Sequence, residues 1–301
     1  MKSKFEEIVD VRLIGGHNPK KMNELAVLAS KERIAPSSED KEKVLFIGID
    51  VQNDFLENGE LAVPNSHIDV ENMTRFIYDN LKKITSICVS MDAHDIEQIF
   101  HSSWWIDKDG NHPAPFTVIT RVDVENGKWR ATQQPEESKE YIEQLEKVGK
   151  KQLIIWPYHC LAGTFGAALE GQFSNIIHFH SMVRQTEIIK IFKGQDPLSE
   201  MYGIVKPEYS KTDMANYEFL ESLKGYQKII IGGEAKSHCV LESVKQIVDY
   251  YKTDVELTSN IYLLKDCMSS IQGFEDSTEQ EISELQKNYG IQVVDSSELK
   301  L

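Results

Sequence analysis

Residues 227–251 join a buried strand to a helix and place a cysteine at the junction. The run 228–231 is β-branched, as is typical of a buried strand, and two glycines interrupt it. From Val240 onwards, apolar residues recur at steps of three and four, which is helical spacing. Cys239 is therefore predicted in the first helical turn, where unpaired N–H groups favour a thiolate and can bind an oxyanion. The alternative is a structural cysteine, because free cysteines are among the most buried residue types.

Short apolar runs alternate with segments of helical periodicity along most of the chain. Strands are predicted at 44–50, 84–91, 187–192, 228–231, 261–266 and 291–294, and helices include 70–83 and 164–183. This alternation predicts an α/β fold, a doubly wound, mostly parallel sheet of about six strands with helices on both faces. Ligands bind beyond the carboxyl ends of such strands, so the residues that end each strand are candidates for chemistry.

Charge and composition exclude several classes of function. The chain has 33 Lys and Arg against 48 Asp and Glu, a net charge of −15, which disfavours nucleic-acid and anionic membrane partners. Its four cysteines are widely spaced and form no CxxC pair, which fits a reducing compartment. No secretory apolar core is present near the N-terminus, and no apolar run approaches the roughly 18 residues of a membrane span. We therefore expect a cytoplasmic protein.

Polar residues that end the predicted strands are the candidate site residues. Asp50 ends the first strand, although a turn or helix-cap aspartate would also fit there. Asp92 and His94 follow the second strand, and two such side chains in one loop can converge on a metal ion. Lys193 ends a later strand and gains a role only as a partner of Asp50, while His159 lies in the loop after another apolar run.

These motifs, in this order, resemble those of the isochorismatase-like cysteine hydrolases, and within that superfamily the nicotinamidase branch. The resemblance rests on the runs 49–55, 192–194 and 233–240, which carry an aspartate, a lysine and a cysteine, respectively. The runs 92–94 and 156–160 are similar to the metal-site signature of the branch, and 59–64 also fits it. The resemblance covers about residues 44–295.

The resemblance implies a cysteine amidase. Asp50 would take the thiol proton of Cys239, and the thiolate would attack a carboxamide carbon. Backbone N–H groups of Ala235 and Cys239 would bind the oxyanion, and Lys193 would orient Asp50. The family has a cis peptide in this turn, which would fall between Glu234 and Ala235. Cys239 and its neighbour His238 are not expected to form a dyad, since adjacent helical side chains do not face each other.

The resemblance also implies a divalent metal ion that binds the pyridine nitrogen of the substrate. The implied ligands are Asp92, His94 and His159, with His101 as a candidate fourth. Zn²⁺ suits three protein ligands with open positions best, and Fe²⁺ and Mn²⁺ remain alternatives.

The implied substrate is nicotinamide, hydrolysed to nicotinate and ammonia in NAD salvage, with Phe55 and Trp156 beside its ring. Members of the family are often oligomers, and a homo-oligomer is expected. The chain exceeds a compact member by an N-terminal extension, 1–43, that we expect to pack on the body, 44–301, and by insertions near 99–150 and 195–226 that could reshape the pocket. Three alternatives remain open: a hydrolase of another small amide or carbamoyl compound, a silent ligand-binding relative, and a zinc hydrolase in which Cys239 is structural.

Overall fold

A parallel sheet forms the centre of the fold in a computed structural model, which describes residues 1–149, 151–212 and 214–301. Within these residues the sheet has six strands: β1 (Val44–Ile49), β2 (Ser86–Asp92), β7 (Ile188–Lys193), β8 (Lys228–Gly233), β9 (Ile261–Leu264) and β10 (Gln292–Val294). Their order is β10-β9-β8-β1-β2-β7, and every neighbouring pair is parallel. The α/β prediction is confirmed.

Helices cover both faces of this sheet. They are α1 (Phe5–Ile8), α2 (Met22–Ala29), α3 (Ser66–Asp79), α4 (Arg121–Glu125), α5 (Pro135–Gln144), α6 (Gly171–Arg184), α7 (Tyr217–Ser222), α8 (Leu241–Tyr250), α9 (Val255–Ser259) and α10 (Glu275–Tyr289). Phe46 of β1 packs into a core with α3 and α6, and its neighbour Ile47 packs into a second core with α8 and α10. Every residue of β1 is buried, as expected of a strand covered on both faces.

Two short antiparallel pairs lie outside the central sheet in the described part of the chain. They are β3 (Trp105–Ile106) with β5 (Arg130–Ala131), and β4 (Val118–Ile119) with β6 (Leu153–Ile154). Strands β3, β4 and β5 belong to the predicted insertion 99–150, and β6 follows it directly. Aromatic residues of this insertion form a third core beside the pocket described below. Residue 150 of this insertion and residue 213 of the insertion 195–226 lie outside the described residues.

Helix α6 begins later than its apolar pattern predicts. The predicted helix 164–183 starts in the structure at Gly171, and the residues before it form turns. The reason is Glu170, whose buried carboxylate accepts the backbone N–H groups of Gln172 and Phe173, each at 2.7 Å. A side chain that satisfies these first N–H groups fixes the N-terminus of a helix.

The N-terminal segment 1–43 is part of the packed structure. Phe5, Ile8 and Leu25 are buried in the same core as α3 and α6, and α2 lies against α6. Among the described residues, no helix is both long enough and apolar enough to cross a membrane.

Arg184 of α6 forms hydrogen bonds and an ion pair with the end of this segment. Replacing Arg184 with alanine should therefore destabilise the protein. Its buried guanidinium donates to the carbonyl oxygens of Ala35 and Ile84 and pairs with Asp40 at 2.5 Å. Arg184→Ala removes these bonds and leaves the Asp40 carboxylate without its cation, so we expect a loss of about 2–4 kcal/mol in the free energy of unfolding, measured in urea. The exposed pair Arg12–Asp10 provides the control, and Arg12→Ala should leave the unfolding midpoint unchanged. A wild-type midpoint for Arg184→Ala would show that these bonds do not contribute to stability.

Candidate active site

Asp50, Lys193 and Cys239 meet at the carboxyl edge of the sheet. Asp50 follows β1, Lys193 ends β7, and Cys239 lies in a π-helical turn, Lys236–Val240, that leads from β8 into α8. Lys193 Nζ lies 2.8 Å from Asp50 Oδ2 and 3.7 Å from Cys239 Sγ. All three side chains are buried. Neighbouring parallel strands thus bring together residues that are far apart in the sequence.

The charge states in this cluster follow from burial and from Lys193. Burial lowers the pKa of Lys193, but the carboxylates of Asp50 and Asp92 outweigh it and hold the pKa well above its usual value, so Lys193 is an ammonium. Burial raises the pKa of Cys239 well above that of a free thiol, although Lys193 opposes the shift. The thiolate expected from the helix terminus is therefore not the resting form, and the thiol needs a base. Burial likewise raises the pKa of Asp50, which makes its carboxylate a stronger base.

Ser90 and Gln52 support the cluster, and sequence reasoning missed both. Ser90 Oγ donates to Asp50 Oδ1 at 2.6 Å and lies 3.1 Å from the Asp50 backbone nitrogen, from which it accepts. The side-chain amide of Gln52 accepts from the N–H of Asp92 and donates to its carbonyl oxygen, each at 2.8 Å. The sequence could have indicated such supporting residues, because each is a polar residue at a position that the pattern predicts to be buried. Buried polar side chains are nearly always hydrogen-bonded.

Asp92, His94 and His159 form a cluster whose donor atoms lie within 4.8 Å of one another. His94 Nδ1 donates to the carbonyl oxygen of Gly194 at 2.9 Å, and His159 Nδ1 donates to that of Pro157 at 2.8 Å. These bonds leave the Nε2 atom of each ring to act as a metal ligand, and such backbone partners are typical of ligating histidines. The donor set of one carboxylate and two imidazoles fits a divalent metal ion.

The protonation states of the cluster also suit metal binding. Burial raises the pKa of Asp92, but Lys193 and His94 outweigh it and hold that pKa well below its usual value, so Asp92 is a carboxylate. Burial, assisted by His94, lowers the pKa of His159 to about 3, so its imidazole is neutral. Carboxylate and neutral imidazole are the forms that bind metal ions.

His101 lies beside this cluster but is not one of its members. Its ring centroid is 6.2 Å from that of His94 and 6.4 Å from that of His159. His101 Nδ1 donates to the carbonyl oxygen of Ile96 at 2.9 Å, and its buried Nε2 has no hydrogen-bond partner in the described part of the chain. Its role as a fourth ligand remains a prediction.

A cavity of about 450 Å³, its opening included, lies between the cysteine and the metal-site cluster. The residues that line it are Phe55, Leu61, Asp92, His94, Phe100, Trp156, His159, Glu200, Met201, Tyr202, Ala235, His238, Cys239 and Ile271. Phe55 and Trp156 are thus both in its wall, as predicted substrate-binding residues should be. In this cavity the nucleophile, the metal-site residues and apolar side chains can all reach one small molecule.

Residues 200–202 of the insertion 195–226 contribute a wall that sequence reasoning did not assign. Trp156 Nε1 and the Tyr202 hydroxyl both donate to Glu200 Oε1, at 3.2 and 2.7 Å. Burial raises the pKa of Glu200 to about 8, so most of this carboxyl group is neutral at pH 7. The insertion therefore places a buried polar group in the pocket, beside aromatic side chains.

The turn before Cys239 presents a backbone N–H group to the cavity. The peptide bond between Glu234 and Ala235 is cis, as the resemblance implied. The Ala235 carbonyl accepts from the N–H groups of His238 and Val240, both at 3.1 Å, whereas the Ala235 N–H has no acceptor among the described residues. An unpaired N–H beside the nucleophile is the group that an oxyanion requires.

Comparisons with known proteins bear on the fold. No protein-family model matches the sequence, and no curated protein matches it. Among solved structures, a nicotinamidase/pyrazinamidase from Acinetobacter baumanii is similar, with a TM-score of 0.57 and 18% identity over 87% of this chain and 100% of that one. Yeast nicotinamidase bound to the inhibitor nicotinaldehyde has a TM-score of 0.56 and 22% identity, over 84% of this chain and 99% of that one. PnC1 from L. infantum in complex with nicotinate has a TM-score of 0.52 and 18% identity, over 89% of this chain and 98% of that one. The chain therefore has the fold that the resemblance implied.

Proposed function

We propose that this chain, which has the fold of the nicotinamidases, is a metal-assisted cysteine amidase that hydrolyses nicotinamide to nicotinate and ammonia. The observation that carries the proposal is the position of Lys193 Nζ. It lies 2.8 Å from Asp50, 2.6 Å from the metal-site residue Asp92 and 3.7 Å from Cys239 Sγ. Base, nucleophile and metal site thus surround one buried ammonium, and the nucleophile and the metal-site residues also face one cavity.

In the first half of the reaction, a thioester forms and ammonia leaves. The Cys239 thiol transfers its proton to the Asp50 carboxylate, which has an oxygen within 4.8 Å of the sulfur. The thiolate attacks the carboxamide carbon, and the N–H groups of Ala235 and Cys239 stabilise the oxyanion. When the C–N bond breaks, protonated Asp50 gives its proton to the departing nitrogen, which leaves as ammonia.

In the second half, water replaces the thiolate. Asp50 takes a proton from a water molecule, which attacks the thioester carbon. The carbon–sulfur bond then breaks, and the proton returns from Asp50 to the Cys239 sulfur, which restores the resting thiol. The product leaves as nicotinic acid, which ionises to nicotinate and gives its proton to the released ammonia or to water. Lys193 and Ser90 hold Asp50 in place through both halves, with bonds of 2.8 and 2.6 Å.

Asp92, His94 and His159 would hold a divalent cation, of which Zn²⁺ fits the donor set best and Fe²⁺ or Mn²⁺ are alternatives. The chemistry that the cation supplies when bound is Lewis acidity, which suits the ring nitrogen of a pyridine. Phe55 and Trp156 are proposed to flank the ring, since both line the cavity.

Metal removal tests the substrate and the metal site together. Purified protein should release ammonia from nicotinamide, lose this activity on chelation, and recover it with Zn²⁺, Mn²⁺ or Fe²⁺. Benzamide, which has the same carboxamide but no ring nitrogen, is the matched control and should be a poor substrate of the metal-loaded protein. Equal rates for nicotinamide and benzamide would contradict the proposed role of the ring nitrogen. Failure of metal-loaded protein to act on nicotinamide would reject this substrate.

Hydrolysis of another small amide or carbamoyl compound is the second candidate. It is favoured by residues 200–202, which place a buried carboxyl group in the pocket wall. Such a group could hydrogen-bond a polar substituent that nicotinamide lacks. Metal-loaded protein that ignores nicotinamide but cleaves a polar amide would establish this alternative. Protein that cleaves none but binds one of them would be a silent ligand-binding relative.

A further inference from the structure

A pair of buried acids lies beneath the turn that carries Ala235. Glu234, the residue before it, is fully buried, and its carboxyl group lies beside that of Asp69 in α3, close enough for a proton between them. Asp69 is 4% exposed. Neither acid lines the cavity, and neither takes part in the reaction proposed above.

The hydrogen bonds around this pair require a shared proton. Glu234 Oε1 and Asp69 Oδ2 are buried, and neither accepts a bond from another donor in the residues that the structure describes. Ser269 N–H lies 3.4 Å from Glu234 Oε2, and the Ser269 side chain bonds Asp69. Two buried carboxyl groups in contact cannot both ionise, whereas a proton between them satisfies both unpaired oxygens.

The charged groups around the pair do not replace this proton. Asp266, which follows β9, adds negative charge next to Asp69, and the neighbouring Cys267 is a buried thiol. The positive charge of Lys236 acts on Asp69 in the opposite direction, but the Lys236 ammonium is paired with Glu279 of α10. A second negative charge on the pair would therefore be poorly compensated.

The backbone on each side of Ala235 is held in place. Glu234 N–H donates to the carbonyl oxygen of Ile49 at 2.8 Å, and Lys236 N–H donates to that of Ser269 at 2.7 Å. The Glu234 side chain adds a third attachment, to α3. These bonds fix the backbone around Ala235, whose N–H is unpaired in the described structure and which lines the cavity together with Cys239.

We propose that Glu234 is a positioning residue, a neutral acid that donates to the Asp69 carboxylate and thereby holds the Ala235 N–H where the oxyanion forms. The inference rests on the proposed amidase function. An ionised Glu234 would move towards water and carry the adjoining peptide with it. Burial, followed by the charge of Asp69, raises the pKa of Glu234 well above its usual value, and burial raises the pKa of Asp69 to about 6. Above pH 6 Asp69 is therefore the anion of the pair.

The pH dependence of unfolding tests for the neutral acid. Consider a glutamic acid that stays protonated in the folded state but ionises in the unfolded state. As the pH rises above its pKa in the unfolded state, the folded state binds more protons than the unfolded state, and the protein becomes less stable. Glu234→Gln keeps a donor for Asp69 and cannot ionise. Its melting temperature should therefore rise relative to wild type between pH 5 and pH 8, by about 2 °C or more per pH unit. The exposed Glu281→Gln is the matched control and should follow wild type throughout. A Glu234→Gln difference that is constant with pH would overturn the neutral acid.

Kinetics test the positioning role. Glu234→Gln should retain wild-type kcat within a few-fold, because its amide still donates to Asp69. The double variant Asp69→Leu/Glu234→Leu removes the attachment without leaving a buried charge, and its kcat should fall roughly 100-fold with little change in KM. Wild-type kcat in a folded double variant, or a Glu234→Gln variant as slow as the double variant, would overturn the positioning role. Inactive wild-type protein would reject the proposed function and the positioning role with it, while the unfolding test would still decide whether Glu234 is neutral.

Discussion

Replacing Cys239 by alanine is expected to abolish amide hydrolysis and leave the protein folded. The substitution removes the only atom that forms the thioester, so kcat should fall by at least about 10⁴-fold. It leaves the bond between Lys193 and Asp50 in place, at 2.8 Å, and removes a single sulfur atom from a side chain that borders a cavity. Ammonia release measures the activity, and thermal unfolding measures the integrity of the fold.

A second buried cysteine supplies the matched control. Cys88 lies in β2, is fully buried and does not line the cavity, so Cys88→Ala should keep wild-type kcat even where it lowers stability. Full activity in Cys239→Ala would reject the thiol mechanism. It would favour hydrolysis by metal-bound water, in which Cys239 only packs against its neighbours.

Replacing Lys193 by methionine is expected to cost more stability than any other single change discussed here. Methionine has a similar length but no charge, and it leaves the carboxylates of Asp50 and Asp92 buried without the ammonium that lies 2.8 and 2.6 Å away. Breaking a buried ion pair costs about 3–5 kcal/mol, and here two carboxylates lose one partner. We expect a loss at the upper end of that range in urea unfolding, together with loss of ammonia release.

Lys190 of the same strand is the control for this prediction. Its side chain is exposed on β7, so Lys190→Met should leave both the unfolding midpoint and the activity near wild type. Wild-type stability in Lys193→Met would mean that Asp50 and Asp92 tolerate each other without a cation. The electrostatic account of the site would then be wrong.

The strand ends made much of the site predictable from sequence. Asp50, Asp92 and Lys193 each stand where an apolar run stops, and the carboxyl ends of parallel strands meet at one edge of the sheet. The strand-to-helix turn similarly placed Cys239 at that edge. Periodicity therefore predicted the sheet, and the strand ends located the candidates, but the resemblance was needed to assign their roles.

What the sequence could not predict depends on partners far apart in the chain. Glu234 and Asp69 form a pair across 165 positions, and the local sequence around each residue does not indicate the other. Glu200 lies in the pocket wall only because its inserted segment folds back over the sheet edge. The pKa of Cys239 was also misjudged, since the helix terminus alone favours a thiolate, whereas burial raises the pKa.

The residues of the site lie on strands that are synthesised at different times, so the site becomes complete only late in synthesis. β1 and β2 pair early in synthesis, which brings Asp50 and Asp92 to one edge, but their shared cation on β7 is made about a hundred residues later. The second neighbour of β1 is β8, and the nucleophile follows it. A nascent chain that ends after residue 159 and before residue 239 therefore carries every proposed metal ligand and no nucleophile. The proposed hydrolysis therefore requires synthesis to continue past residue 239.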